Sequence, residues 1–490
     1  MPASAARRRP RPRSQPLGWR RPVRRSRRHS GFSVDPLRRQ PKGLASFWTR
    51  ARRLLWSWWP WVAAGIFALE SREWWWAFGA GLMAMVSYLI APVEAPPRYG
   101  LDHEFDVRSP EFLPTIAGAT GVPLTRGNRI DLLNNGDEFY PAMLRDIAAA
   151  EASITIEAYI FWEGEIGRVF AAALAERARA GVRVKILLDA IGSSSIGADI
   201  LGILESGRCQ IAWYNPIKWY SIGRFNNRTH RKSLIIDGRV GFTGGAGIAD
   251  QWLGCAQDAD HWRDMQIRVE GPAVTALQTG FAQNWLERTR ELVSGPLYYP
   301  DADGTAGPHL ALTLMSSPVT GASTVRVMYY LSIICARRRI WLANPYFVPD
   351  PPAIETLIDA KRRGVDVKIM VSGINNDSWL SRQNSIRLYG RLLAAGIGIY
   401  EYQHTMLHHK TMAVDGVWAT VGTTNFDTRS FTHNEESNVC FYDEALVERM
   451  EATFRDDLQK CVRVELEAWK HRGVWARGQE FIAAFLQEQV

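Results

Sequence analysis

From residue 54 onward the polarity of the chain changes in blocks. LLWSWWPWVAAGIFAL (54–69) and WWWAFGAGLMAMVSYLIA (74–91) carry no charged residue and are separated by ESRE. At 1.5 Å per helical residue they reach about 24 and 27 Å, slightly short of a hydrocarbon core of about 30 Å unless flanking residues help. Seven tryptophans lie within or at the start of these runs, the residue type that settles at the headgroup level. The blocks predict two transmembrane helices over 54–91, with a buried helical hairpin of a soluble protein as the alternative, followed by a Pro-rich linker over 92–110. Beyond it, short apolar runs alternate with helix-like periods, and the alternation occurs twice. ARAGVRVKILLDAIGSS (178–194) and KRRGVDVKIMVSGINND (361–377) each close a helix on Gly and enter a continuous apolar strand. Upstream, ITIEAYIFW (154–162) answers IWLANPYFVP (340–349). This order predicts an α/β fold of two pseudo-symmetric lobes, 111–300 and 301–490, the second with C-terminal helices.

Each lobe carries a further matching string. THRKSLIIDGRVGFTGG (229–245) and LHHKTMAVDGVWATVGTTN (407–425) share the pattern His-x-Lys-x-x-x-x-Asp, with His230, Lys232 and Asp237 in one and His408, Lys410 and Asp415 in the other. The chain has far more arginine than lysine, so a position asking only for positive charge would have drawn Arg. Both strings use Lys. Read as a strand, RTHRKSLIID places His230 and Lys232 on one face. Asp237-Gly238 and Asp415-Gly416 have the composition of hairpin turns, so the two aspartates are either turn residues or catalytic groups. Two histidines and two lysines gathered between the lobes form a cationic pocket suited to phosphate. One neutral imidazole can attack phosphorus, and a protonated one can supply the leaving oxygen's proton. No metal or cofactor is called for by this set, and neither H-E-x-x-H nor a P-loop string occurs.

Charge alters this picture in one place. The net charge of +9 comes from residues 1–53, which hold 16 Arg and one Lys against Asp35 alone; the rest of the chain sums to about −7. A nucleic-acid groove across the folded part is therefore not expected. The tail reads as a disordered, cytoplasmic basic segment that binds anionic lipid and sets topology; a mitochondrial transit peptide and an overextended start are the alternatives. Five cysteines, odd in number and without a C-x-x-C pair, fit a reduced compartment.

The duplicated string, with the Gly422-Thr423-x-Asn425 turn that follows its second copy, resembles the HKD signature of the phospholipase D superfamily. NNRTHRK, GGAGIAD, WRDMQIRVEGPAV and NFDTRSF are most similar to bacterial cardiolipin synthases. The resemblance implies two phospholipase D-like lobes with the active site between them, and a phosphatidyl group passed from phosphatidylglycerol to a histidine and then to a second phosphatidylglycerol. Glycerol is released and cardiolipin formed. It further implies His230 as nucleophile, His408 as acid, and Asp264 and Glu436 as the carboxylates that orient them. Gly245, Thr423 and Asn425 are implied as substrate contacts. In the first copy Gly247 stands where the second has Asn425, so the phosphate is not gripped symmetrically. The same residues would serve a phospholipase D-type hydrolase using water as acceptor. With two spans and a basic tail, the expected place is the bacterial inner membrane, multi-pass, with the lobes in the cytoplasm.

Overall fold

Asp237 and Gly238 adopt left-handed backbone conformations (φ 53° and 63°), as do Asp415 and Gly416 (54° and 72°). Each pair therefore turns the chain back on itself in a tight hairpin, with three residues between the last paired positions, Ile236 and Val240 or Val414 and Trp418. Those hairpins are equivalent corners of one large sheet. The structure, a computed structural model, describes residues 58–70, 72–89, 98–216, 227–301, 304–317 and 324–484; the Arg-rich tail and part of the linker lie outside them.

The strands are β1 (Thr125–Asn134), β2 (Ser153–Ala158), β3 (Arg183–Asp189), β4 (Gln210–Tyr214), β5 (Arg228–Thr229), β6 (Ser233–Ile236), β7 (Val240–Gly244), β8 (Met265–Glu270), β9 (His309–Ser316), β10 (Arg339–Ala343), β11 (Asp366–Ser372), β12 (Gly398–Tyr402), β13 (Lys410–Val414), β14 (Trp418–Gly422), β15 (Asn434–Tyr442) and β16 (Cys461–Arg463). Read inward from each edge, β4-β3-β2-β6-β7-β8-β1 and β12-β11-β10-β13-β14-β15-β9 are one strand order used twice. The halves meet where β1 and β9 pair antiparallel. β16 extends one edge, and β5 stands apart beside β15. In each half the three outer strands are parallel and linked by helices, and the inner ones are antiparallel. Strands buried on both faces explain the continuous apolar runs VKILLD and VKIMVS. Each half has its own main core cluster, the second half a smaller one around Trp341 and Phe454 as well, and a further cluster draws on both, with Ile130, Val269 and Leu277 beside Ala413, Val421 and Val439.

The two aspartates expected as catalytic candidates stand at these turns. Asp237 accepts backbone N–H bonds from Glu151, Ala152 and Ser153 at 3.0, 2.7 and 2.8 Å. Asp415 accepts from Arg337, Arg338 and Arg339 at 2.8, 2.8 and 2.9 Å. Each carboxylate thus ties its hairpin to the start of β2 or β10, at the far end of β6 or β13 from the histidine. A strand of four or five residues puts about 13–17 Å between them. Neither aspartate reaches the chemistry, and the catalytic assignment of Asp237 and Asp415 is corrected to a structural one.

Ahead of the sheet, α1 (Trp58–Glu70) and α2 (Trp74–Leu89) form a helical hairpin. Ala68, Ala80 and Ala84 are buried, while Phe67, Trp74, Trp75, Trp76 and Phe78 face outward, Trp75 with 87% of its surface exposed. A Cβ added to Gly65 would lie 3.6 Å from that of Ala80, so small residues set the approach. Small residues inside and large apolar ones outside invert the usual soluble pattern. Among the described residues, however, no helix is long and apolar enough to cross a membrane. The expected spans over 54–69 and 74–91 are represented by helices of 13 and 16 residues, a rise of about 20 and 24 Å.

Because the two turn aspartates have lost any catalytic role, Asp237→Ala and Asp415→Ala are expected to destabilise the fold by about 2–4 kcal/mol each. Folded protein should keep its turnover number. Thermal unfolding measured beside active-site titration checks both parts.

Candidate functional site

The strand expected over RTHRKSLIID is interrupted, and the interruption makes the site. β5 ends at Thr229 and β6 begins at Ser233, so His230 and Lys232 lie on the connection. β5 pairs with β15 of the other half, and the His230 N–H continues that pairing to the Glu435 carbonyl at 2.9 Å. The second copy mirrors this: the His408 N–H donates to the Arg263 carbonyl of the first half at 2.7 Å. Each string therefore enters from the opposite half and then joins its own sheet.

The side chains repeat the exchange. His230 Nδ1 is 3.0 Å from Glu436 Oε2, and His408 Nδ1 is 2.9 Å from Asp264 Oδ2. Each carboxylate is wholly buried and comes from the half that does not supply its histidine. With Nδ1–H donated to a carboxylate, each Nε2 keeps its lone pair for chemistry. Glu436 also accepts from the Thr423 hydroxyl, and Asp264 from Trp252 Nε1 at 2.8 Å and the Met265 N–H at 2.8 Å. Lys232 donates to the His230 carbonyl at 3.1 Å. Lys410 donates to the His408 carbonyl and lies 3.1 Å from His408 Nε2.

Electrostatics follows from burial. Desolvation pushes His230 down to about 4 and His408 to about 3, against the upward pull of Glu436 and Asp264. Both imidazoles are neutral at pH 7. Burial also lowers Lys232 to about 8 and Lys410 to about 7, with the two lysines opposing each other and both carboxylates supporting them. Burial works to raise Asp264 and Glu436, but their hydrogen bonds to His408 and His230 and the nearby lysines outweigh it, and both stay below the ordinary carboxylate range. Burial therefore opposes the charged forms of both lysines, and an anion beside them favours those forms.

His230, Lys232, His408 and Asn425 line one cavity of about 360 Å³, together with Tyr159, Arg228, Tyr346, Asp377 and Arg429. Its walls bring together the expected histidines, one lysine and Asn425, with Lys410 directly behind His408. Two expected substrate contacts have other work. Thr423 is turned to Glu436, and a Cβ on Gly245 would meet Asp264 Oδ1 at 2.2 Å, so glycine there makes room for the carboxylate. Gly247 cannot become the missing asparagine either, since its Cβ would approach that of Ile160 to 2.8 Å. Sequence reasoning missed Trp252, which locks Asp264, and Arg228, which is held by Asp189 at 3.4 Å and reaches the cavity. The only sequence signal for either was proximity to a motif. It also missed the Tyr346–Asp377 pair; Tyr159 stands edge-on to His230 in the first lobe as Tyr346 does to His408 in the second, but the position matching Asp377 holds Ser194. The aromatic segment at 217–226 lies outside the described residues.

Comparison with known proteins agrees with this geometry. Residues 143–285 and 332–458 match the family described as cardiolipin synthase, PLD-like domain, which is more than half of the chain. A cardiolipin synthase of Listeria welshimeri is 33% identical over 370 residues, covering 75% of this chain and 76% of its own. One from Clostridium perfringens is 36% identical over 363 residues, covering 73% and 76%. Among solved structures, the phosphatidylserine synthase of Haemophilus influenzae superposes with a TM-score of 0.61 at 12% identity, covering 78% of this chain and all of that one, a likeness of fold.

The lowered lysines generate a pH dependence. An anion that enters the cavity restores their charged forms, so binding takes up protons above about pH 7 and weakens as Lys410 and then Lys232 deprotonate. Dimethyl phosphate, whose single charge is constant in this range, should lose affinity by up to about tenfold per pH unit per lysine between pH 7 and 9. Calorimetry in buffers of differing ionisation enthalpy measures the uptake. Affinity independent of pH would show that the lysines do not hold the anion.

Proposed function

The chain belongs to the cardiolipin synthase family of PLD-like domains, and from that premise we propose that it is a phosphatidyltransferase making cardiolipin from two phosphatidylglycerol molecules. The observation that carries the proposal is the pair of carboxylate-held histidines facing one cavity lined by cations. His230 Nε2 attacks phosphorus; the bond from phosphorus to the glycerol oxygen breaks, and that oxygen takes a proton from His408. The incoming phosphodiester makes this possible, because its negative charge and Asp264 together raise His408 from its low value in the free site. A hydroxyl of a second phosphatidylglycerol then attacks the phosphohistidine and returns its proton to His408. The bond from phosphorus to nitrogen breaks and His230 is regenerated. Lys232, Lys410 and Asn425 hold the phosphoryl oxygens, and Glu436 and Asp264 fix the two rings. Asp237 and Asp415 have no part in it.

The helical hairpin bears on the choice of acceptor. Water is near 55 M and competes for the phosphohistidine, so transfer wins only where the site meets lipid more often than bulk solvent. The outward tryptophans and phenylalanines of α1 and α2 support an anchor seated in the bilayer. The basic tail favours entry from the cytoplasmic side, keeping tail and catalytic body there. In bacteria this is the inner membrane.

With phosphatidylglycerol vesicles, the full chain is expected to give cardiolipin and glycerol, with phosphatidic acid a minor product. Because one phosphodiester replaces another, added glycerol should drive cardiolipin back to phosphatidylglycerol. Removing residues 1–91 should move the products toward phosphatidic acid. Thin-layer separation of labelled lipid measures all three, and phosphatidic acid as the main product of the full chain would make it a phospholipase D-type hydrolase instead.

A further inference from the structure

A cavity built for a phosphodiester has one feature that phosphate binding does not explain. Asp377 is exposed to it, within reach of the catalytic cluster. A carboxylate offers only acceptors and negative charge, and so do phosphoryl oxygens. The cavity's other such aspartate, Asp427, is engaged as a helix cap, its Oδ1 accepting the Ser430 N–H at 2.6 Å. Asp377 is instead held from the side by the Tyr346 hydroxyl, which donates to its Oδ1 at 2.5 Å. The Tyr346 ring stands edge-on to His408, with centroids 6.1 Å apart.

The near-symmetry of the halves shows that the carboxylate is the addition, since Tyr159 stands edge-on to His230 as Tyr346 does to His408. Ile154 pairs with Ile236 and Val184, and Ile340 pairs with Val414 and Val367, so the registers superimpose. Counting along each strand, Tyr346 stands where the first half has Ile160, and Asp377 where it has Ser194. Ile160 packs over Gly247. The first half lines its wall with Ile160 and Tyr159, and the second sets a carboxylate acceptor where the first has Ser194.

We propose that Asp377, positioned by Tyr346, is a specificity residue that accepts hydrogen bonds from the free hydroxyls of a glycerol headgroup whose reacting oxygen lies at His408. This rests on the phosphatidyltransferase reading. A glycerol headgroup brings two neutral hydroxyl donors to that wall. An ammonium headgroup would also satisfy a carboxylate, but it would enter beside Lys232, Arg228, Arg429 and Lys410, whose charges oppose it. Glycerol enters without that opposition. The same contact serves the departing glycerol and, in reverse, the glycerol that attacks.

The experiment runs the reaction backward on cardiolipin vesicles with glycerol, 1-propanol and ethanolamine in equimolar competition, and reads the ratio of the phosphatidyl products. Consumption of cardiolipin by the full-length protein reports the transfer itself; the ratio reports Asp377 independently of overall rate. The native protein is expected to favour glycerol over 1-propanol by about tenfold or more. Asp377→Ala should bring that ratio close to one, and Asp377→Asn, which keeps the size of the side chain, should lower it at least about threefold. A residue that merely shaped the loop would slow all acceptors together. An unchanged glycerol-to-propanol ratio in both variants overturns the proposal, and so does a native preference for ethanolamine that disappears with Asp377.

Discussion

Each motif histidine is held by a carboxylate from the other half of the protein, His230 by Glu436 and His408 by Asp264. This reciprocal pair is the constraint on which the site depends. A neutral imidazole buried in a cavity has no intrinsic reason to present one nitrogen rather than the other; a wholly buried carboxylate at Nδ1 makes that choice. Because the carboxylates are exchanged, neither half contains a working site alone. The backbone follows the same rule, with the N–H groups of His230 and His408 bonded to carbonyls of the opposite half. Docking of the halves, orientation of the rings and assembly of the cavity are therefore one event.

The exchange is symmetric in plan and unequal in detail. Glu436 is steadied by a threonine hydroxyl, whereas Asp264 is steadied by the Trp252 indole, and Gly245 leaves the space that Asp264 needs. One wall offers Asn425 and Tyr346; the other offers Ile160 and Tyr159, with Gly247 packed against Ile160. A homodimer of identical half-sites would bind both ends of a phosphodiester alike. A duplicated chain whose halves have diverged can give one side to the attacking nitrogen and the other to the alcohol, which a transfer between two different oxygens requires.

Much of this was legible in the residues. The doubled strand order followed from the doubled apolar runs, since strands buried on both faces announce themselves as continuous stretches such as VKILLD. The His-x-Lys pairs followed from their repetition. Spacing alone could not show that Asp237 and Asp415 serve the turns, because an aspartate in a hairpin and an aspartate in a site leave the same letter in the sequence; only the three backbone N–H bonds to each decide it. The break between β5 and β6 was hidden for a related reason: period-two patterning continues through His230 and Lys232 although the hydrogen bonds change partner from one half to the other. Tyr346 and Asp377 were invisible as a pair, being 31 residues apart and joined only by folding. The lack of charge in 54–69 and 74–91 reads as two full spans, and of these runs the structure describes helices over Trp58–Glu70 and Trp74–Leu89.

The central claim is that both halves build one site. It is tested most directly by comparing His230→Ala, His408→Ala and the double variant in the same turnover assay. If the histidines act in sequence on one phosphatidyl group, each single change should abolish turnover in folded protein, and the double variant should be no worse than either. A single variant that keeps most of its activity, or losses that add in the double, would mean that the two strings work separately.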